Sequence, residues 1–133
     1  MAPDAIAPGE DTGPLPYSGS DAQGDHILAT HCPACGYFNF PPSRVCAHCM
    51  SVEVQAKALS RRGVLYSHST MRRGDRTFHV GYVDLPEQIR VLGVIEGFEG
   101  APRCDAPVEL ARVKPVNEPN PQREPVFVFR RAD

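Results

Sequence analysis

The chain is 133 residues long, with 14 Lys and Arg against 16 Asp and Glu for a formal net charge of -2, and it has no tryptophan. That length accommodates one modest domain plus a small metal-held module, not two full cores. The slight negative charge gives no global attraction to nucleic acid or anionic lipid, and no apolar run spans a bilayer, so a soluble, cytoplasmic protein without membrane contact is expected.

Residues 1–25 are rich in Pro, Gly, Ala, Asp and Ser and nearly devoid of large apolar side chains. Such a segment buries too little surface to offset its ordering entropy, so a flexible Pro/Gly-rich arm is expected there. Its opening, Met1-Ala2-Pro3-Asp4-Ala5-Ile6, has neither the basic residues nor the apolar run of a secretory signal.

Residues 26–51 are predicted to form a zinc ribbon, entered by the short apolar run Ile27-Leu28-Ala29. Two Cys-x-x-Cys knuckles, Cys32-Pro33-Ala34-Cys35 and Cys46-Ala47-His48-Cys49, are separated by ten residues. Each knuckle supplies two thiolates, and the hairpin between them brings the pairs to one tetrahedral ion. Pro33 stiffens the first turn, and Gly36 permits positive φ. Two disulfides would need an oxidising compartment, rubredoxin-like iron separates its knuckles more widely, and dithiol catalysis needs only one pair. Cys32, Cys35, Cys46 and Cys49 therefore read as ligands of one zinc ion. Four thiolates leave no open position for water or substrate, so the ion is structural. His31 and His48 flank the knuckles as surface or supporting groups. Cys104, alone and distant, reads as a buried inert thiol. Phe38 and Phe40, between the knuckles, are expected to pack the ribbon against its neighbour.

From residue 52 to 133 the pattern is strand after strand. Val52, Val54, Ala56 and Ala58 alternate with Glu53, Gln55 and Lys57, a period of two. Further strands are predicted from Val64 to Thr70, Thr77 to Val83, Ile89 to Ile95, Pro107 to Val113 and Pro125 to Arg130, with turns at Arg73-Gly74-Asp75 and Leu85-Pro86-Glu87-Gln88. Five or six strands with Gly81 and Gly93 inside them suggest a small closed barrel, because strand glycines permit the coiling that closure demands. Periodicity alone leaves OB, SH3-like and small sandwich folds open.

The order of motifs narrows this. Cys32-Pro33-Ala34-Cys35-Gly36, then Phe40-Pro41-Pro42-Ser43-Arg44 before Cys46, then Gly63-Val64-Leu65-Tyr66-Ser67, Gly81 to Glu87, Val91-Leu92-Gly93 and Pro125 to Arg130 follow one another over residues 26–131. In this the chain resembles the acyl-CoA-associated zinc-ribbon/OB-fold family, long catalogued as a domain of unknown function. The resemblance implies an all-β protein: a rubredoxin-like zinc ribbon followed by a five- to six-stranded OB barrel. It also implies a non-catalytic accessory subunit of a thiolase-fold acyl-CoA enzyme, in a hetero-oligomer. The implied partner is a thiolase, a condensing enzyme or a steroid side-chain aldolase, with a hydratase as a second candidate and a coenzyme A thioester contacted in the complex. No catalytic residue carries over; only the four zinc ligands match position by position. Three departures from the family stand out: the Pro/Gly-rich arm in place of N-terminal helices, Gln88 where Gly is frequent, and Cys104-Asp105 where an apolar residue and Gly are usual.

Nucleic-acid binding is the alternative, since zinc ribbons and OB barrels both serve it. Arg61, Arg62, Arg72, Arg73 and Arg76 form a local basic cluster in sequence, and Tyr66, Phe78 and Tyr82 offer stacking faces. Alternating strand aromatics more commonly face a core, and the whole chain falls below neutrality. The same basic turn also suits coenzyme A phosphates or an acidic partner surface. Independent catalysis would have to come from scattered carboxylates (Glu53, Asp75, Asp84, Glu87, Glu96) or from His68 and His79 on opposed strands. No nucleophile–base motif or phosphate loop accompanies them.

Overall fold

The computed structural model describes residues 15, 17–22, 24–114 and 126–133. Most of the expected arm and Pro125 lie outside these residues. The end of the arm does not: β1 (Ser18–Asp21) pairs antiparallel with β2 (Gly24–His31), so strand is found within the segment expected to be flexible. The physical reason is that the polar strand needs no core of its own, because the backbone of β2 supplies its ladder. β2 also pairs with β3 (Phe38–Asn39) and with β4 (Gln55–Ala58). The ribbon sheet thus runs past residue 51. Of the alternating stretch from Val52 only Gln55–Ala58 is strand, and it joins the ribbon rather than the barrel.

The remaining strands are β5 (Arg62–Arg73), β6 (Arg76–Leu85), β7 (Ile89–Glu96), β8 (Pro107–Lys114) and β9 (Val126–Arg131). They close into a barrel in the order β5-β6-β7-β9-β8, with β8 returning to β5. β7 and β9 run parallel and the other neighbours antiparallel, a five-stranded Greek-key barrel of the OB type. Gly81 and Gly93 face each other across β6 and β7. A Cβ on Gly81 would lie 2.4 Å from the Ser67 carbonyl oxygen, and one on Gly93 would lie 2.8 Å from the Phe129 ring. The pair lets the strands approach closely enough for closure around Phe129. In β5 the register slips between Leu65 and Ser67, making Tyr66 the extra residue of a bulge.

One core serves both modules. Ile27, Ala29 and Leu59 from the ribbon side pack with Leu65, Val83, Val91, Leu110 and Phe129 of the barrel, all buried. Phe38 and Phe40 pack on that cluster as the sequence implies, and the Phe40 ring centroid lies 6.1 Å from that of Phe127. Polar ties reinforce the joint. Arg61 donates to the carbonyl oxygens of Asp25 and Leu110, and the Val113 amide donates to the Asp25 carboxylate at 2.9 Å. Among the described residues no helix is long and apolar enough to cross a membrane.

Candidate metal centre

The two knuckles are built alike. The Gly36 amide donates to the Cys32 carbonyl at 2.7 Å, and the Met50 amide donates to that of Cys46 at 2.8 Å. The Cys32 amide donates to Tyr37 and the Cys46 amide to Ser51, both at 2.9 Å. The residue after each second cysteine is left-handed: Gly36 has φ 80 and Met50 has φ 68. Composition alone drew attention to Gly36. The spacing from Cys46 marks Met50 as its counterpart, with a side chain where glycine is unstrained.

The knuckle loops turn backbone amides onto the sulfurs. At Cys46, burial opposes ionisation, but the amides of Cys49 and His48 and the Asn39 side chain outweigh it and bring the thiol down to about 6. Cys32 is lowered in the same way, burial being outweighed by the amides of Cys35 and Ala34 and by the neighbouring sulfurs. At Cys35 the Tyr37 amide favours the thiolate, yet loss of solvent and the other three sulfurs push the thiol up to about 12. Cys49 is raised: the Ser51 amide favours its thiolate, while Cys32 leads the opposing influences. Four acidic groups packed together cannot all ionise without a cation between them.

The four sulfurs suit such a cation. All lie within 4.8 Å of one another, with Cys32 to Cys49 at 3.5 Å and Cys35 to Cys46 at 3.7 Å. Zinc–sulfur bonds of about 2.3 Å at a tetrahedral centre put neighbouring sulfurs roughly 3.8 Å apart, so the set fits zinc with little movement. Cys32 and Cys46 are buried; Cys35 and Cys49 are exposed. Buried Asn39 holds the hairpin by accepting the Ala47 amide at 2.8 Å, and Thr30 exchanges hydrogen bonds with the Ser43 backbone at 2.9 and 3.2 Å. His31 leans on Phe38 and His48 stacks on Tyr37, so neither histidine belongs to the four-sulfur group.

Several other expectations change. Cys104 is exposed rather than buried. It lies in the loop between β7 and β8 beside Asp105, which has φ 66 and whose amide donates to the Leu65 carbonyl at 2.7 Å. The basic cluster splits in two. Arg61 and Arg62 bond backbone carbonyls at the joint and near the C-terminus. Arg72, Arg73 and Arg76 stand at the far end of the β5–β6 hairpin, where no carboxylate partner is found among the described residues. There a cleft of about 450 Å³ joins Arg73, Arg76 and Lys114 to apolar walls that include Phe78 and Val94. Tyr66 and Tyr82 are exposed, against the expectation that strand aromatics face the core. His68 and His79 do lie on paired strands, β5 and β6, as expected, with His68 opposite Gly81 and His79 hydrogen-bonded to Thr70 at 3.0 Å.

Family comparison agrees with this architecture. The family model described as ChsH2, rubredoxin-like zinc ribbon domain, matches residues 22–53, and that described as ChsH2, C-terminal OB-fold domain, matches residues 56–114. The chain belongs to the ChsH2 zinc-ribbon/OB-fold family. This ChsH2-family chain is 38% identical over 95 residues to the benzoylsuccinyl-CoA thiolase subunit BbsA of Thauera aromatica, covering 68% of the chain and 66% of that protein. It is 36% identical over 112 residues to the BbsA of Geobacter metallireducens, covering 81% of the chain and 69% of that protein. The match therefore spans about two thirds of the length of these relatives. Among solved structures, a chain of the Ltp2-ChsH2(DUF35) aldolase superposes with a TM-score of 0.63 at 24% identity, covering 81% of this chain and 86% of that one. A DUF35-family protein of unknown function from Sulfolobus solfataricus superposes with a TM-score of 0.54 at 14% identity, covering 80% and 76%. Both likenesses are of fold.

Proposed function

We propose that this chain is a non-catalytic, zinc-binding accessory subunit of a thiolase-fold acyl-CoA enzyme of thiolase or retro-aldolase type, working in the cytoplasm. The kinship with two benzoylsuccinyl-CoA thiolase subunits carries this reading. The closed donor set supports a structural rather than a catalytic ion: four thiolates fill a tetrahedral zinc site and leave no position for substrate. Zinc, held by Cys32, Cys35, Cys46 and Cys49, supplies structure and no open coordination site. The ribbon and barrel then present a fixed surface that stabilises the partner and completes its acyl-CoA channel. A coenzyme A thioester in the complex would find Arg73, Arg76 and Lys114, which have no carboxylate partner among the described residues, beside apolar walls.

The test is co-purification of the tagged chain from its native host, with mass spectrometry of what comes with it. A stoichiometric thiolase-fold chain is expected, and a hydratase is the second partner to look for. The alternative, a nucleic-acid binder, has the exposed Tyr66 and Tyr82 in its favour. Recovery of nucleic acid that moderate salt removes, with no thiolase-fold chain, would replace the accessory reading with that one.

A further inference from the structure

We infer that the thiolase-fold partner docks on the outward face of β5, β6 and β7, with Tyr66, Tyr82 and Leu92 as the apolar centre and Arg90 as its directional donor. The inference rests on the accessory-subunit reading and adds the surface to it. Inward positions on these strands (Leu65, Val83, Val91) are buried, while Tyr66 is 53% exposed, Tyr82 45% and Leu92 54%. Register brings them together: Tyr82 opposes Leu92, and the bulge at Tyr66 lies beside the Ser67–Tyr82 pair. A bulge sacrifices ladder pairing to re-aim a side chain, and here the residue gained is an aromatic one turned to solvent.

Charge selects the occupant. Arg90 grips Asp84 through Nε at 2.6 Å and Nη2 at 3.1 Å, and its guanidinium carbon lies 3.5 Å from the Tyr66 ring centroid. The patch is therefore neutralised from within, while Arg72, Arg73 and Arg76 gather at the other end of the hairpin. A phosphate backbone would be attracted to that end, not to this face. A neutral, Tyr- and Arg-rich patch has the composition of a protein–protein hot spot. With Val64 it offers on the order of 300 Å² of apolar surface, enough for the centre of an interface that buries about 800 Å² per partner but not for all of it. The partner surface that fits is apolar at its centre, with carbonyl or hydroxyl acceptors facing the tyrosine hydroxyls and Arg90 Nη1.

The experiment uses the full-length chain co-expressed with the thiolase-fold subunit that co-purifies with it. Amide hydrogen exchange on the wild-type complex is read first, and slowed exchange confined to strands β5–β7 is expected. Tyr82→Arg and Leu92→Arg are each expected to weaken the complex about tenfold or more, with zinc content and melting temperature unchanged because both side chains are exposed. Met71→Arg, on the same hairpin but outside the patch, should leave affinity within about twofold. Protection elsewhere in the chain, or a Tyr82→Arg/Leu92→Arg double variant that binds as tightly as wild type, would overturn the surface while leaving the accessory reading intact. A wild-type chain that captures no thiolase-fold subunit at all would defeat both.

Discussion

At the scale of single residues, the zinc centre shows how backbone geometry and sulfur chemistry are joined. Met50 occupies a left-handed turn that its twin knuckle gives to Gly36. A left-handed conformation costs a side-chain-bearing residue about 1–2 kcal/mol, and glycine gives back part of that gain in unfolded-state entropy. Met50→Gly is therefore expected to raise stability by up to about 1 kcal/mol, read as a higher melting temperature of the zinc-loaded chain. Cys32→Ser and Cys46→Ser remove a buried ligand, and each should abolish stoichiometric zinc by elemental analysis and melt the ribbon. The thiol shifts also set the order in which the metal-free sulfurs ionise. Cys46 ionises near 6 in place of the ordinary 9.0, so its thiolate favours the folded site at neutral pH and that contribution is lost as pH falls through about 6. Cys35, pushed up to about 12, keeps its proton at neutral pH until a cation arrives. Ultraviolet thiolate absorbance of the metal-free chain should therefore show a step near pH 6 that Cys46→Ser removes and Cys35→Ser retains. Loss of that step in Cys35→Ser but not in Cys46→Ser would contradict this assignment.

At the scale of elements, much was legible in the sequence, and what was missed has a common cause. Four cysteines at fixed spacing define a metal site without any tertiary information, and the period of two located β6 and β7 closely. Periodicity says that a side chain alternates, however, not which face meets a core. Tyr66 and Tyr82 therefore read as buried, although the bulge and the sheet's outer face expose them. Strand partnership is equally hidden: the alternating stretch from Val52 to Ala58 reads as a strand of the barrel, yet only Gln55–Ala58 is strand and its partner is β2. Cys104 read as buried because thiols usually are, but it stands exposed in the loop between β7 and β8. The glycine pair was legible in outline, and the structure makes it specific. Gly81→Ala and Gly93→Ala each press a methyl against backbone or the Phe129 ring. Each should cost about 1–3 kcal/mol in denaturant unfolding. A neutral result at both positions would mean that barrel closure does not depend on this close approach.

At the scale of the whole molecule, ribbon and barrel stand or fall together. The joint through Arg61, Asp25, Leu110 and Val113 crosses between them, and the core makes no distinction between their side chains. Stripping zinc with a chelator should therefore lower the melting temperature of the barrel as well as the ribbon, in one calorimetric transition. Arg61→Ala should lower that single transition by leaving the Asp25 and Leu110 carbonyls without their donor, while the shared core keeps the two modules melting together. Two separate transitions in that variant would assign the coupling to the arginine rather than to the apolar core.

The shared core also bears on heredity and engineering. Ile27, Ala29 and Leu59 are covered by barrel side chains, so a cut between Ala58 and Arg62 would leave two fragments, each with an uncovered greasy face. The ribbon cannot travel as a cassette. A chimera that grafts it onto a foreign barrel must carry matching partners for those three residues, and lineages of this fold would be expected to pass on both halves as one inseparable unit.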